Sequence, residues 1–190
     1  MNTNKKSNSK LTIKVRILFT VIVTLLIWSH LTWDYFNGGV PKHHILNRED
    51  FPAISNWWGG ITLPIFTWIL LYRIKQRVDT YNSYDSLHSI FYGFIGMLLF
   101  GISLSYFFSI GSEIPGYMMI GLFVLSFMIP VYRSEYFLGF VISTAYMFGA
   151  ILPMGMGIIL WTIYAITYKF IRRSFLSIVS RIGKRIKKNT

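Results

Sequence analysis

The chain has 190 residues, of which 53% are hydrophobic and 14% charged, with a formal net charge of +12. Soluble domains carry about 25% charged residues, so this composition excludes an ordinary soluble enzyme, a disordered chain and, despite the positive charge, a nucleic-acid-binding domain. The absence of cysteine excludes disulfide bonds and thiolate metal sites. Apolar stretches close to the length that crosses a bilayer recur, so we predict an all-α, polytopic integral membrane protein.

The first predicted element is a transmembrane helix that follows a basic N-terminus. Several lysines and Arg16 precede the apolar run Ile17–Trp28, an order that is typical of signal peptides. No small-residue cleavage site follows in the stretch Ser29–Asp34. We therefore interpret the run as an uncleaved first span.

A long outer loop, residues 34–56, is expected after this span. Loops of this length in compact proteins are usually functional or disordered, and this one is too rich in aromatic and apolar residues for a disordered linker. Ser55 or Asn56 is a suitable N-cap for the second span. Four tryptophans predict an aromatic belt at the same interface: Trp28, Trp33, Trp57 and Trp58.

Histidines and acids in and beside the loop are the candidates for chemistry. If the first helix continues beyond the interface, His30 and Asp34 lie one turn apart on one face. Together with His43, His44 and Asp50 they offer the nitrogen and oxygen ligands of a divalent metal such as zinc. Metal-bound water would act there on a lipid or another amphiphile, with His43, His44 and Asp50 as the candidate catalytic residues.

Polar and aromatic residues around the loop are predicted to bind the ligand or substrate: Trp33, Ser55, Asn56, Trp57 and Trp58. The same residues also have a structural interpretation, as helix caps, a turn and headgroup contacts. The adjacency of His43 and His44 argues against both being ligands in a regular helix or strand. Both interpretations stay open at this point.

Charge-free runs predict six transmembrane spans within a single domain, residues 1–171. The spans are expected at about residues 13–33, 57–73, 88–110, 114–132, 134–151 and 154–172. The charge-free run Tyr136–Tyr168 exceeds the roughly 20 residues that one helix needs. Within it, the Pro- and Gly-rich stretch Leu152–Gly157 predicts the break between spans five and six.

The distribution of basic residues favours six spans over five. With six, both termini are cytoplasmic and every Lys and Arg except Lys42 and Arg48 lies on the cytoplasmic side. With five, the basic tail moves outside and the charges divide about equally. We expect a multi-pass protein of the cytoplasmic membrane of a bacterium.

The C-terminal tail, residues 172–190, has the pattern of a basic amphipathic helix. Apolar residues recur at helical spacing on one face and basic residues occupy the other. Such a helix lies in the interface against anionic lipid headgroups. The alternative is a solvated end of the sixth helix.

Small residues recur along the third span, at Gly93, Gly96, Gly101 and Ser105, and predict close helix packing. The acids, including Glu135, are expected in loops or at helix ends, which disfavours a proton- or sodium-coupled carrier. Three classes of function remain open. They are a membrane protein with an outward-facing ligand or substrate site on residues 30–58, a passive facilitator, and a non-catalytic subunit that binds a membrane-protein partner or a second copy.

Overall fold

The computed structural model describes residues 11–44, 50, 53–81 and 84–172, without the side chains of residues 43, 44, 81 and 84–86. Apart from one short sheet, the secondary structure of these ranges is helical. The helices are α1 (Ile13–Phe36), α2 (Gly59–Tyr81), α3 (Tyr84–Ser109), α4 (Ile114–Leu125), α5 (Ser134–Phe148) and α6 (Ile151–Ile166). The predicted amphipathic tail lies outside the described residues beyond Arg172 and stays a prediction.

Within the described residues, three helical segments are long and apolar enough to cross a membrane: Ile13–Phe36, Leu87–Ser109 and Ile151–Ile171. The last one comprises α6 and one π-helical turn, Thr167–Ile171. Helix α4 is also apolar but shorter, because it ends at Leu125 and not near residue 132. These helices support the prediction of a membrane protein.

Basic side chains mark one end of the helical bundle. Arg16, in the first turn of α1, lies over the ring of Trp68 in α2 at 4.0 Å from the ring centroid. Lys169, after α6, lies over the ring of Tyr132, just before α5, at 5.1 Å. An ion pair joins the second half of α2 to the first turn of α5, so the start of α1 and the end of α6 lie at the same end of the bundle, which we call the basic end.

The opposite end, which we call the loop end, carries the connection between α1 and α2. This connection contains β1 (Lys42–His44) and β2 (Ala53–Ser55), which pair as antiparallel strands. A 3₁₀ turn, Asn56–Trp58, then leads directly into α2.

Helices α3 and α5 approach each other at glycines. A Cβ on Gly139 of α5 would overlap the backbone carbonyl oxygen of Phe94 in α3, and one on Gly101 would overlap the Ser143 hydroxyl. Gly93 of α3 faces Tyr136 in the same way, whereas Gly96 has open space around it. The predicted close packing of the third helix is thus present at Gly93 and Gly101, and Gly139 was not anticipated.

The break between α5 and α6 lies at Gly149–Ala150, so its predicted position at Leu152–Gly157 is wrong. Gly149 has φ +69° and ψ 164°, a conformation that is essentially restricted to glycine. Pro153 instead lies in the first turn of α6, where its missing N–H costs no helical hydrogen bond. The backbone conformation of Gly149, and not the proline, ends α5.

Candidate functional site

The His30 and Asp34 side chains meet on the last turns of α1. Because α1 continues as far as Phe36, the two residues lie one turn apart on one face. His30 Nε2 and Asp34 Oδ2 are 3.7 Å apart, and the side chains are only 18% and 16% exposed. Asp34 Oδ2 is shielded from solvent and has no hydrogen-bond partner in the part of the chain that the structure describes.

Tyr146 of α5 packs against the imidazole of His30. The two ring centroids are 4.6 Å apart and the planes are inclined by 31°. Tyr146 lies near the end of α5, within the charge-free run Tyr136–Tyr168, and nothing in its sequence context distinguishes it from the other aromatic residues. This contact joins residues far apart in the sequence, so periodicity within one helix does not reveal it.

An apolar cleft of about 180 Å³ leads to this cluster between α1, α2 and α5. Its walls are aliphatic apart from His30 and Tyr146, and they comprise Val23, Leu26, Ile27, Leu63, Ile142 and Ala145. Leu26 and Tyr146 are 61% and 72% exposed, so the cleft borders the outer surface of the bundle. The arrangement is amphipathic, because the walls are mostly aliphatic and His30, which pairs with Asp34, lines the cleft.

The connection between α1 and α2 returns to the bundle through its small sheet. The backbone of His43 pairs with Ile54, and that of His44 with Ala53. The N–H of Asn56 donates to the carbonyl of Pro41 at 3.1 Å. The backbone of residues 41–44 therefore lies alongside residues 53–56, just before α2, whereas the side chains of His43 and His44 lie outside the described part.

The predicted ligand-binding residues do not line the cleft beside His30. Ser55 is an N-cap, whose hydroxyl accepts from the N–H of Trp57 at 3.5 Å. Trp57 packs on Trp28 with ring centroids 6.1 Å apart. Trp33 and Trp58 are 67% and 60% exposed.

The side chain of Asn56 packs against the junction between α5 and α6. A Cβ on Gly149 would overlap its side-chain oxygen, so the carboxamide lies directly against the α5–α6 junction. A Cβ on the nearby Gly59 would lie 3.0 Å from that of Ala150. These contacts join the start of α2 to the turn that ends α5.

The predicted metal site stays a prediction. No group of three or more histidine and acidic side chains suitable for a metal comes together among the described residues. His30 and Asp34 provide two adjacent candidate ligands, and Asp50 is exposed. The side chains of His43 and His44 lie outside the described part of the chain.

A second polar cluster, at the basic end, was not identified from the sequence. Arg77 of α2 donates to Glu135 of α5 at 2.7 Å, and Glu135 is completely buried. Glu135 was expected at a helix end, where it does lie, but burial was not expected. The sequence feature that could have indicated burial is the position of Glu135, a single acid next to the charge-free run Tyr136–Tyr168.

The sequence matches no protein-family model, and neither a curated protein nor a solved structure shows significant similarity to it.

Proposed function

We propose that this chain is an integral membrane protein that binds an amphiphile at the loop end of its bundle. The supporting observation is that His30, which pairs with Asp34 and packs against Tyr146, lines an apolar cleft. An acyl chain would occupy the cleft, and its polar headgroup would contact the His–Asp pair.

The chemistry of the cluster favours a headgroup that donates hydrogen bonds. A carboxylate oxygen without a donor loses the hydration that it would have in water, and an ammonium or hydroxyl group restores a partner. Asp34 Oδ2 is such an oxygen in the described part of the chain. Phosphatidylethanolamine has the required ammonium group, whereas phosphatidylcholine has no donor.

The size of the cleft limits how much of the ligand it holds. Pockets for drug-sized molecules measure about 300–1,000 Å³, and this cleft measures about 180 Å³. It therefore accommodates part of one acyl chain, and the remainder stays in the surrounding bilayer. This geometry suits a ligand that enters sideways from the membrane.

In the orientation that we propose, all six helices span the membrane and both termini are cytoplasmic. The loop end then faces outward, and the basic end lies at the cytoplasmic headgroups as the positive-inside rule requires. The tail, residues 172–190, would lie on anionic lipids at that surface.

The binding site is tested by native mass spectrometry of the detergent-purified full chain, titrated with phosphatidylethanolamine and phosphatidylcholine. We expect the wild type to retain phosphatidylethanolamine preferentially. Asp34→Asn should weaken this binding about tenfold, because it removes a charged hydrogen-bond acceptor. Asp79→Asn is the matched control, since Asp79 forms a comparable i,i+4 pair with Lys75, at 3.4 Å, on another helix.

Other outcomes distinguish the remaining classes of function. Equal binding by wild type and Asp34→Asn, with both folded, would overturn the proposed site. Solute flux through liposomes containing the protein alone would support the facilitator. Recovery of a stoichiometric membrane-protein partner, without retained lipid, would support the non-catalytic subunit.

The predicted zinc set is tested by elemental analysis of the same preparation. Near-stoichiometric zinc that is lost in a His43→Ala/His44→Ala variant would support the set of His30, Asp34, His43, His44 and Asp50 and would make lipid hydrolysis the next assay. Zinc-free protein that cannot be loaded, yet still binds phosphatidylethanolamine, would overturn the metal hypothesis and leave direct recognition by His30 and Asp34.

A further inference from the structure

A second groove lies between α3 and α4, on a different face from the His30 cleft. It has a volume of about 640 Å³, within the range of ligand-binding clefts. Two of its wall positions, Gly96 of α3 and Gly121 of α4, have no atom within 4 Å of where a Cβ would stand. The groove is thus open because side chains are missing where the two helices would otherwise fill it.

The polarity of the groove changes along its length. Hydroxyl-bearing residues line the part toward the basic end: Ser89, Tyr92 and Tyr136. The rest of the lining is apolar and includes Met97 of α3, Leu122 and Leu125 of α4, and Ile129 after α4. An occupant must therefore be apolar along most of its length and polar at the basic end.

An arginine lies beside the polar part of this groove in the chain. Arg133 immediately precedes α5, and its carbonyl accepts from the N–H of Tyr136, a groove residue, at 3.1 Å. The Arg133 side chain is only partly exposed. It forms no ion pair with any residue that the structure describes, in contrast to Arg77, which binds Glu135.

We propose that the groove between α3 and α4 binds one anionic phospholipid from the leaflet at the basic end. One acyl chain lies against Gly96 and Gly121, and the phosphate lies near Arg133 and the tyrosine hydroxyls. Charge complementarity selects this occupant, because an arginine without a carboxylate partner attracts a lipid phosphate. This site is separate from the proposed amphiphile site, and its ligand has the opposite requirement, a negative charge.

The test is native mass spectrometry of the full chain titrated with phosphatidylglycerol and, separately, phosphatidylcholine. Gly96→Leu/Gly121→Leu fills the groove at two positions where the new Cβ meets no other atom, and an unchanged apparent unfolding temperature verifies that the variant is folded. We expect this variant to bind phosphatidylglycerol at least about tenfold more weakly, which corresponds to lost contact for about two methylene groups. Gly155→Leu is the matched control, since Gly155 is equally open but belongs to α6.

A second variant tests the headgroup contact without altering the groove. Arg133→Gln should reduce the preference for phosphatidylglycerol over phosphatidylcholine about fivefold, the usual contribution of one basic residue near a membrane surface. Arg73→Gln is the matched control, because Arg73 is an exposed arginine of α2 outside the groove. The two arginine variants carry the same net charge.

Two results would overturn the proposal. One is equal retention of phosphatidylglycerol by wild type and the groove-filling variant. The other is a wild-type dimer that dissociates in that variant, since a second copy would then cover the groove. Loss of phosphatidylethanolamine binding in Asp34→Asn has no bearing on either result, so the two sites are tested independently.

Discussion

The guanidinium of Arg77 donates a 2.7 Å hydrogen bond to Oε1 of Glu135. This contact joins the last part of α2 to the first turn of α5. Arg77 is 22% exposed, whereas Glu135 is completely buried and its second oxygen has no hydrogen-bond partner among the described residues. Loss of the ion pair should therefore cost more when it leaves Glu135 alone than when it leaves Arg77 alone, because only Arg77 has access to solvent.

Arg77→Met is expected to destabilise the protein by about 3 kcal/mol, because it leaves a buried carboxylate without its cation. Glu135→Gln should cost about half as much, since the more exposed arginine can still reach solvent. The measurement is the apparent unfolding temperature in detergent. Combining both substitutions should recover part of the loss caused by Arg77→Met, and equal effects of the two single variants would contradict this asymmetry.

Gly149→Ala is expected to destabilise the junction between α5 and α6 for two separable reasons. The φ and ψ angles of Gly149 are essentially restricted to glycine, at a cost of about 1–3 kcal/mol for other residues. In addition, the new Cβ would overlap the Asn56 carboxamide. Thermal unfolding of Gly149→Ala, Asn56→Ala and the double variant separates the two effects.

The double variant should regain only the part of the stability that the Asn56 overlap removes. A strained backbone would persist in it, because no change at Asn56 alters the angles at residue 149. Full recovery in the double variant would show that the backbone conformation contributes nothing.

Gly139→Ala is expected to separate α3 from α5, because the added Cβ would overlap the backbone of Phe94 and approach that of Leu98. Backbone atoms cannot move aside as a flexible side chain can, so we expect a loss of about 1–3 kcal/mol, as for other overpacked sites. Gly96→Ala, in open space on α3, is the control and should leave the apparent unfolding temperature almost unchanged. A similar response of both variants would contradict the close approach at Gly139.

The sequence predicted the helical elements better than their ends. Long apolar runs must form helices in a bilayer, because every backbone N–H and C=O then needs an internal partner. The break before α6 was misplaced at Leu152–Gly157 because proline is acceptable in the first turn of a helix. The actual end at Gly149 depends on a backbone conformation, and Asn56, a residue distant in sequence, packs against it.

Only those contacts of the candidate site that lie within one helix could be predicted from the sequence. His30 and Asp34 meet through helical periodicity, which a sequence reveals directly. Tyr146 and the Arg77–Glu135 pair depend on which helices pack together, and this information is spread over the whole chain. The loop residues Trp33 and Trp58 looked equally suitable for the ligand, yet both are largely exposed and lie outside the cleft.

The proposed six-span orientation predicts which positions a membrane-impermeant maleimide reaches from outside the cell. The chain has no cysteine, so each single-cysteine variant has one label site. Lys42→Cys and Glu113→Cys, both at exposed positions, should be labelled in intact cells. Arg73→Cys and Arg172→Cys should be labelled only after the membrane is permeabilised, because α6 returns the chain to the end of the bundle where Lys169 lies over Tyr132.

Labelling of Arg172→Cys distinguishes six spans from five. Labelling of this variant in intact cells, together with Lys42→Cys, would place the tail outside and contradict the proposed orientation. Labelling of Arg73→Cys in intact cells would instead show that the bundle has the opposite orientation, with the His30 cleft at the cytoplasmic face. Permeabilised cells serve as the control in both cases, since every folded variant should react there.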